Sequence, residues 1–466
     1  MGIRVSSKKI PAPGKLFVLS LEGVSHAFLR RHTADGLLPN ISRLLAQGEL
    51  REMATVQPPV SLVTWASYMT GVNPGRHGVY GFVDRRPGSC DLFKLNGSNI
   101  PLSTLWEVLG RAGKRVLVVN VPATSPPRPV NGVLVSCFLS PSLEQAVYPP
   151  AMARYLASIN YRIDAGAGLE MRDRDGMLAD IDLALRKRFE AAIAMMRRET
   201  WDFSQLHIME TDRINHLLWK DYEDESSSYR EAFLSFYRSL DDLVGEMTAR
   251  LPKDCAVMLL SNHGFCRLRR AVNVNRFLEE RDWLRFERRK PRRLKDMTGE
   301  SMAYSLPPGR IYLNLRGREP GGTVQGRDEY TGFRKGLAAD LLSMKDPDTG
   351  EAVIAEVLPG EEAVSDPAWG EFPVATSDRG PAPFDLLALP REGYDLRGHL
   401  DGSSVFDESP LTGMHTSRGA FVFVRGAEGI SGEAHILDLF PTILEMMGVH
   451  MVEGLDGKSL LGGGGE

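Results

Sequence analysis

The stretch Leu16-Phe-Val-Leu-Ser-Leu-Glu22-Gly23 is a nearly continuous apolar run that stops on an acidic side chain and a glycine. A run of that length without polar alternation predicts a strand buried on both faces of a parallel sheet. Open sheets of this kind gather their chemistry at the carboxyl ends of the strands, and Glu22 falls at such an end. Three further stretches also place ligand-type residues at or beyond strand ends. They are Gln205-Leu-His-Ile-Met-Glu-Thr-Asp212-Arg-Ile-Asn-His216, Val257-Met-Leu-Leu-Ser-Asn262-His263-Gly264 and, in a Gly-rich loop, Gly413-Met-His415. Side chains distant in sequence can therefore meet at one sheet edge. Imidazole with carboxylate is a ligand set for zinc, manganese or iron.

Between these stretches, strand-like runs alternate with helical patterns. Leu38–Gly48, Ser61–Thr70 and Leu102–Ala112 read as helices, with Gly48 and Gly71 as stops, and Arg115–Asn120 reads as a second buried strand. Residues 176–200 and 226–250 read as long amphipathic helices leading into the strands that end near Asp212 and Leu260. This rhythm predicts an α/β fold with a mostly parallel central sheet covered by helices on both faces. From about 266 to 410 the rhythm gives way to charge, proline and glycine, with short strands such as Arg310–Leu315. The expected organisation is a core at 15–265, an irregular insertion or cap at 266–410, and the end of the core at 411–460. Residues 1–14 and 462–466 read as disordered ends.

With 466 residues, the chain exceeds a single small core. A net charge of −4 argues against a nucleic-acid polymer or a polybasic membrane surface as partner. The basic run Arg285–Lys295 reads as a solvated loop. Four cysteines without a CxxC pair make no disulfide framework. No run approaches the roughly 18 apolar residues needed to cross a membrane. The default expectation is a cytoplasmic protein acting on a small molecule; the oligomeric state is open.

Asp212 and His216 are four apart, so a helix starting after the strand would put both on one face, able to grip one ion. An i,i+4 surface pair is the plain alternative. His263 at a strand end is either a hydrogen-bonded structural residue or a ligand, and the same choice holds for His415. Ser61 follows Pro58-Pro-Val60 and opens a helix. It is either an N-cap hydroxyl or a nucleophile favoured by the positive helix end and a neighbouring metal. Thr64, one turn later, is the weaker nucleophile candidate.

Taken together, these motifs resemble the alkaline phosphatase superfamily, in its type I phosphodiesterase/nucleotide pyrophosphatase branch. The resemblance is carried by Glu22-Gly, Leu38-Pro-Asn-Ile-Ser-Arg-Leu44, Pro58 to Gly78, Asp212-Arg-Ile-Asn-His216, Ser261-Asn-His-Gly-Phe265, Gly413-Met-His415 and Asp438-Leu-Phe-Pro-Thr-Ile-Leu444, in family order over nearly the whole chain. It implies a three-layer sandwich and a hydrolase with two metal ions, usually zinc, flanking a Ser or Thr nucleophile. Asp212, His216 and His415 would hold one ion. Glu22, Asn262 and His263 would face the other together with Ser61, which would form a phospho-enzyme.

Two positions depart from the family pattern. Glu22 stands where Asp is usual, and Asn262 stands for the Asp of an SDHG stretch. The second site thus has one anionic carboxylate where the pattern expects two. A weakened two-metal enzyme, a one-metal enzyme, a degenerate binding protein or pseudoenzyme, and a related phosphotransferase or mutase all remain open. A sulfatase does not, because Ser61-Leu-Val-Thr-Trp65 lacks the Pro and Arg of its CxPxR-like motif. His77 belongs to the family motif without an assignable role. His26, His32 and His399 read as structural or surface residues, and Asp385 receives no role.

Overall fold

Leu16–Leu21 lies inside a nine-stranded sheet. The strand order is Ala434–His435, Gly48–Ala54, Ala420–Arg425, Ala256–Leu260, Leu16–Leu21, Phe203–Ile208, Val116–Val119, Gly132–Val135 and Val147–Tyr148. The five strands from Ala256–Leu260 to Gly132–Val135 are all parallel, and Ala420–Arg425 runs antiparallel to both its neighbours. The expected mostly parallel α/β sheet is thus present. The computed structural model describes residues 14–86, 88–165, 173–287, 292–365, 384–426 and 433–461. The expected disordered ends, apart from residue 14, and residues 288–291 of the basic run lie outside the described residues.

Alternation along the central strand sorts the molecule into layers. Phe17, Leu19 and Leu21 pack into one apolar cluster with the helices Arg174–Arg198, Glu210–Glu223 and Arg230–Arg250. Leu16 and Val18 pack into the other with Ser61–Thr70, Leu105–Arg111 and Leu439–Met446. Successive strand side chains point to opposite faces, so Glu22 follows Leu16 and Val18 toward the helix Ser61–Thr70. His207 follows Phe203 to that same face, and it pairs in register with Ser20. Two strand ends are thereby aimed under the helix that carries Ser61.

That helix spans Ser61–Thr70 as expected and stops at Gly71, whose φ of 71° is the left-handed conformation glycine tolerates best. Gly23 has φ 68°, and a Cβ there would meet the Phe265 ring at 2.8 Å and His263 Cε1 at 3.2 Å. The turn after the central strand therefore requires glycine twice over, for conformation and for room.

The stretch 266–410 has an apolar cluster of its own, formed with Tyr80. It contains a four-stranded sheet, Ala303–Leu306, Arg310–Leu313, Leu386–Pro390 and Ile354–Pro359, and a three-stranded one, Tyr394–Arg397, Arg270–Asn273 and Phe406–Asp407. Asp385 is buried there. It accepts from the Leu313 amide at 2.6 Å, Arg318 at 2.5 and 2.9 Å and the Tyr330 hydroxyl at 2.9 Å, which gives it a structural place.

Candidate metal centre and nucleophile

Three parallel strands lie side by side in the order Ala256–Leu260, Leu16–Leu21, Phe203–Ile208. Their carboxyl ends deliver Asn262 and His263, Glu22, and the segment leading to Asp212. The third strand ends at Ile208, four residues before Asp212, and the helix Glu210–Glu223 starts at once, so Asp212 sits in its first turn with His216 one turn on. The Thr211 hydroxyl donates to Glu22 O at 2.7 Å, and Asn215 Nδ2 donates to Gly23 O at 3.2 Å. Glu210 is pinned from below by the fully buried Arg188, whose Nη2 lies 2.5 Å away. His415 is not in a loop. It lies on a short strand, Gly413–Thr416, paired antiparallel with Gly264–Arg267. A contact between segments so far apart in sequence leaves no local pattern, so the glycines alone suggested a loop.

Asp212, His216 and His415 converge. His415 Nε2 is 3.0 Å from Asp212 Oδ1 and 3.1 Å from His216 Nε2, and His216 Nε2 is 3.4 Å from Asp212 Oδ1. Two ligand atoms held ~2.0–2.1 Å from one tetrahedral ion would lie roughly 3.3 Å apart. His216 Nδ1 donates to Gly413 O at 2.8 Å, which leaves the Nε2 lone pair facing its two partners. Burial would raise the Asp212 carboxyl, but His216 and His415 outweigh it and hold it below the usual carboxylate range. Burial and then the neighbouring His263 push His415 down to about 4, against the pull of Asp212. One carboxylate and two imidazoles meeting at these distances form a donor set that fits a divalent cation and leaves a coordination position for water or substrate. Among the described residues this is the one group of three His, Cys, Asp or Glu side chains with such geometry.

Glu22, Asn262 and His263 form an adjoining, fully buried cluster. Glu22 Oε2 accepts from the Trp65 indole at 2.6 Å, and Oε1 accepts from Asn262 Nδ2 at 2.9 Å. His207 Nε2 is 3.2 Å from Oε2 and His263 Nε2 is 3.3 Å from Oε1, both outside hydrogen-bond directions. Burial would raise the Glu22 carboxyl, but His207 and His263 hold it well below the usual range. Burial would lower His263, but Glu22 raises it above the ordinary imidazole value. The His263 and His415 rings stack with centroids 3.9 Å apart, joining the two clusters.

Ser61 is the first residue of its helix. Val60, extended at φ −111° and ψ 138°, occupies the N-cap position, so the serine hydroxyl does not serve as the cap. Among the described residues that hydroxyl has no hydrogen-bond partner. Thr64 is tied on both sides, donating to Ser61 O at 3.2 Å and accepting from Asn262 Nδ2 at 2.9 Å. A line of contacts thus runs from Asp212 through His415, His263, Glu22 and Asn262 to the helix of Ser61. His207, Trp65 and Thr64 were not foreseen as members of this line. The one signal in the sequence was a histidine next to the last residue of a strand that leads into Asp212.

His77 lies outside both clusters. It is fully buried, and burial pushes its imidazole down to about 3. Its Nδ1 accepts from the Val79 amide at 3.1 Å, so Nε2 carries the hydrogen and donates to Ser67 Oγ at 2.9 Å. His77 therefore clips the turn after the Ser61 helix. His77→Ala should lower unfolding stability by about 2–4 kcal/mol, from a cavity plus unpaired polar atoms, without changing metal content. Denaturant midpoints beside elemental analysis check this, and an unchanged midpoint would refute it.

The profile of the family described as type I phosphodiesterase/nucleotide pyrophosphatase matches residues 16–417, a span holding all seven site positions. No curated protein matches the chain in sequence. Among solved structures, phosphonoacetate hydrolase from Sinorhizobium meliloti with phosphonoformate is similar over 92% of this chain and 95% of its own, at 18% identity and a TM-score of 0.62. Murine ectonucleotide pyrophosphatase/phosphodiesterase 5 is similar over 95% and 97%, at 13% identity and 0.54. The alkaline phosphatase PafA is similar over 97% and 99%, at 14% identity and 0.56. At such identities the likeness is one of fold, and that fold is alkaline-phosphatase-like. With the profile matched over most of its length, the chain belongs to the type I phosphodiesterase/nucleotide pyrophosphatase family and is by that membership an enzyme of the phosphoester hydrolase class.

Proposed function

We propose that the chain hydrolyses a small phosphodiester or nucleotide-type ester, with Ser61 as nucleophile and a divalent cation held by Asp212, His216 and His415. The observation that carries this reading is the convergence of those three side chains on one point. Zinc suits two imidazoles and a carboxylate best, and manganese or iron takes the same donors. A cation held there supplies Lewis-acid charge for phosphoryl oxygens and makes water a better nucleophile.

The chain's own residues supply the rest. The Ser61 oxygen attacks phosphorus in line with the departing ester oxygen. The new O–P bond forms as the old one breaks, the electron pair leaves with the alcohol or nucleotide oxygen, and the proton given up by the Ser61 hydroxyl ends on that oxygen. The Val63 and Thr64 amides donate to Val60 O at 2.9 and 3.0 Å, while those of Ser61 and Leu62 have no partner among the described residues and favour the phosphoryl negative charge. Water then cleaves the serine–phosphate bond and restores the hydroxyl. Support for a small phosphoryl compound comes from the fold neighbours, one solved with the phosphonate phosphonoformate and another with the phosphate ester AMP.

The rival reading, a protein that binds a phosphoester without turning it over, draws on the bonds that already engage Glu22 and Asn262. Bis-p-nitrophenyl phosphate, a nucleotide diester and a sulfate ester, each assayed with zinc or manganese, separate the two. Turnover of the diesters above the sulfate ester is expected, with the p-nitrophenyl-phosphoryl or nucleotidyl group trapped on the Ser61 peptide after acid quench. Diester binding without turnover under any of these metals would replace the enzyme reading with the rival.

A further inference from the structure

The Glu22 cluster does not fit a second cation. An ionised carboxylate has about four lone-pair positions, and four nitrogens crowd Glu22 at 2.6, 2.9, 3.2 and 3.3 Å. Two of them are committed donors, one on each oxygen. The Trp65 indole N–H can only donate. The Asn262 amide is oriented by its surroundings. Its Oδ1 faces the Gly23 N–H at 3.4 Å, so its NH2 points at Glu22 and at Thr64 Oγ1, each at 2.9 Å. Beside each oxygen a cation would therefore meet the positive end of an N–H dipole, and the remaining lone pairs look toward His207 Nε2 and His263 Nε2, which lie against different oxygens and do not gather with Glu22 around one point as the Asp212 trio does. Glu22, Asn262, Trp65, His207 and His263 are all fully buried, so bulk water does not reach in to complete a coordination shell.

We infer that this chain binds one cation rather than two, and that Glu22 is a positioning residue whose carboxylate is satisfied by its own protein. Its bonds lead to the helix of the nucleophile. Trp65 lies one turn beyond Ser61, and Asn262 grips Thr64, which in turn holds the Ser61 carbonyl. On the other side, His263 rests against Glu22 and stacks on His415. The cluster thus sets the distance between Ser61 and the cation held by Asp212, His216 and His415. It does the job of a structural brace at the place where the family pattern has an ion. The inference rests on the proposed use of that trio.

The test is an ion count that does not depend on turnover. Wild type, Glu22→Gln, Asp212→Asn and Asn262→Asp are saturated with zinc or with manganese, freed of excess, and measured by elemental analysis and native mass spectrometry. About one ion per chain is expected in wild type and in Glu22→Gln, and close to none in Asp212→Asn. Asn262→Asp exchanges the closing N–H donor for a carboxylate oxygen and should bring the count to about two. Two ions in wild type, an ion lost in Glu22→Gln, or no second ion in Asn262→Asp would overturn the inference. The wild-type count needs no variant to fold. Failure of the phosphohydrolase reading shows differently: no diester turnover, or an ion that survives Asp212→Asn.

Discussion

Ser61→Ala is expected to cut phosphodiester turnover at least about 10³-fold while leaving the bound cation in place. The serine is the first residue of a ten-residue helix, and its hydroxyl neither caps that helix nor bonds to any described residue. Its loss should therefore cost little stability, since alanine is the better helix former. The fall should appear in kcat, because the missing bond is made only on the reaction path. Thr64→Val is the matched control. It removes the other hydroxyl on that turn, which is already engaged by Asn262 and the Ser61 carbonyl, so it should disturb positioning and cost far less than Ser61→Ala. Steady-state kinetics, trapping of the covalent Ser61 adduct and metal content together check this. Less than a tenfold loss in Ser61→Ala, or a larger loss in Thr64→Val, would move the nucleophile elsewhere.

The parts of this design that are local in sequence could be read before the structure. The strand at Leu16–Leu21 shows in its unbroken apolar run, and the helix Ser61–Thr70 shows in the glycine that ends it. The Asp212/His216 spacing fits a helix, and a helix is there. What depends on pairing could not be read. His415 gained a strand only because Gly413–Thr416 meets Gly264–Arg267. His207 reached Glu22 only because its strand lies beside Leu16–Leu21 in the register that sets His207 opposite Ser20. The place of Glu22 at the end of its strand was legible too. The indole and amide donors around it come from two other segments, and those decide what the carboxylate can still accept. The stretch 266–410 looked irregular because its strands are mostly short and bounded by proline and glycine, yet it assembles two small sheets over an apolar cluster.

Asp212→Asn should empty the metal centre. The carboxylate is the only anion in the trio, and the change keeps its shape while removing its charge. His415 Nε2 and His216 Nε2 stand 3.1 Å apart beside it, and two neutral imidazoles alone give a cation far less binding energy than two with an anion. Losing partners outside the ligand set typically costs a metal site 10–100-fold in affinity, so losing the charged ligand itself should cost at least about 100-fold. Diester turnover should fall with it, by at least about 10³-fold at low metal, and recover in part when zinc is added in excess. That recovery separates this variant from Ser61→Ala, which keeps its ion and should not respond. A stability readout gives the same answer without substrate. Ligand at about 100 times its dissociation constant stabilises the folded state by about 2.7 kcal/mol, so zinc should raise the melting temperature of wild type and leave that of Asp212→Asn nearly unmoved. An equal zinc shift in both proteins would mean that the ion sits elsewhere.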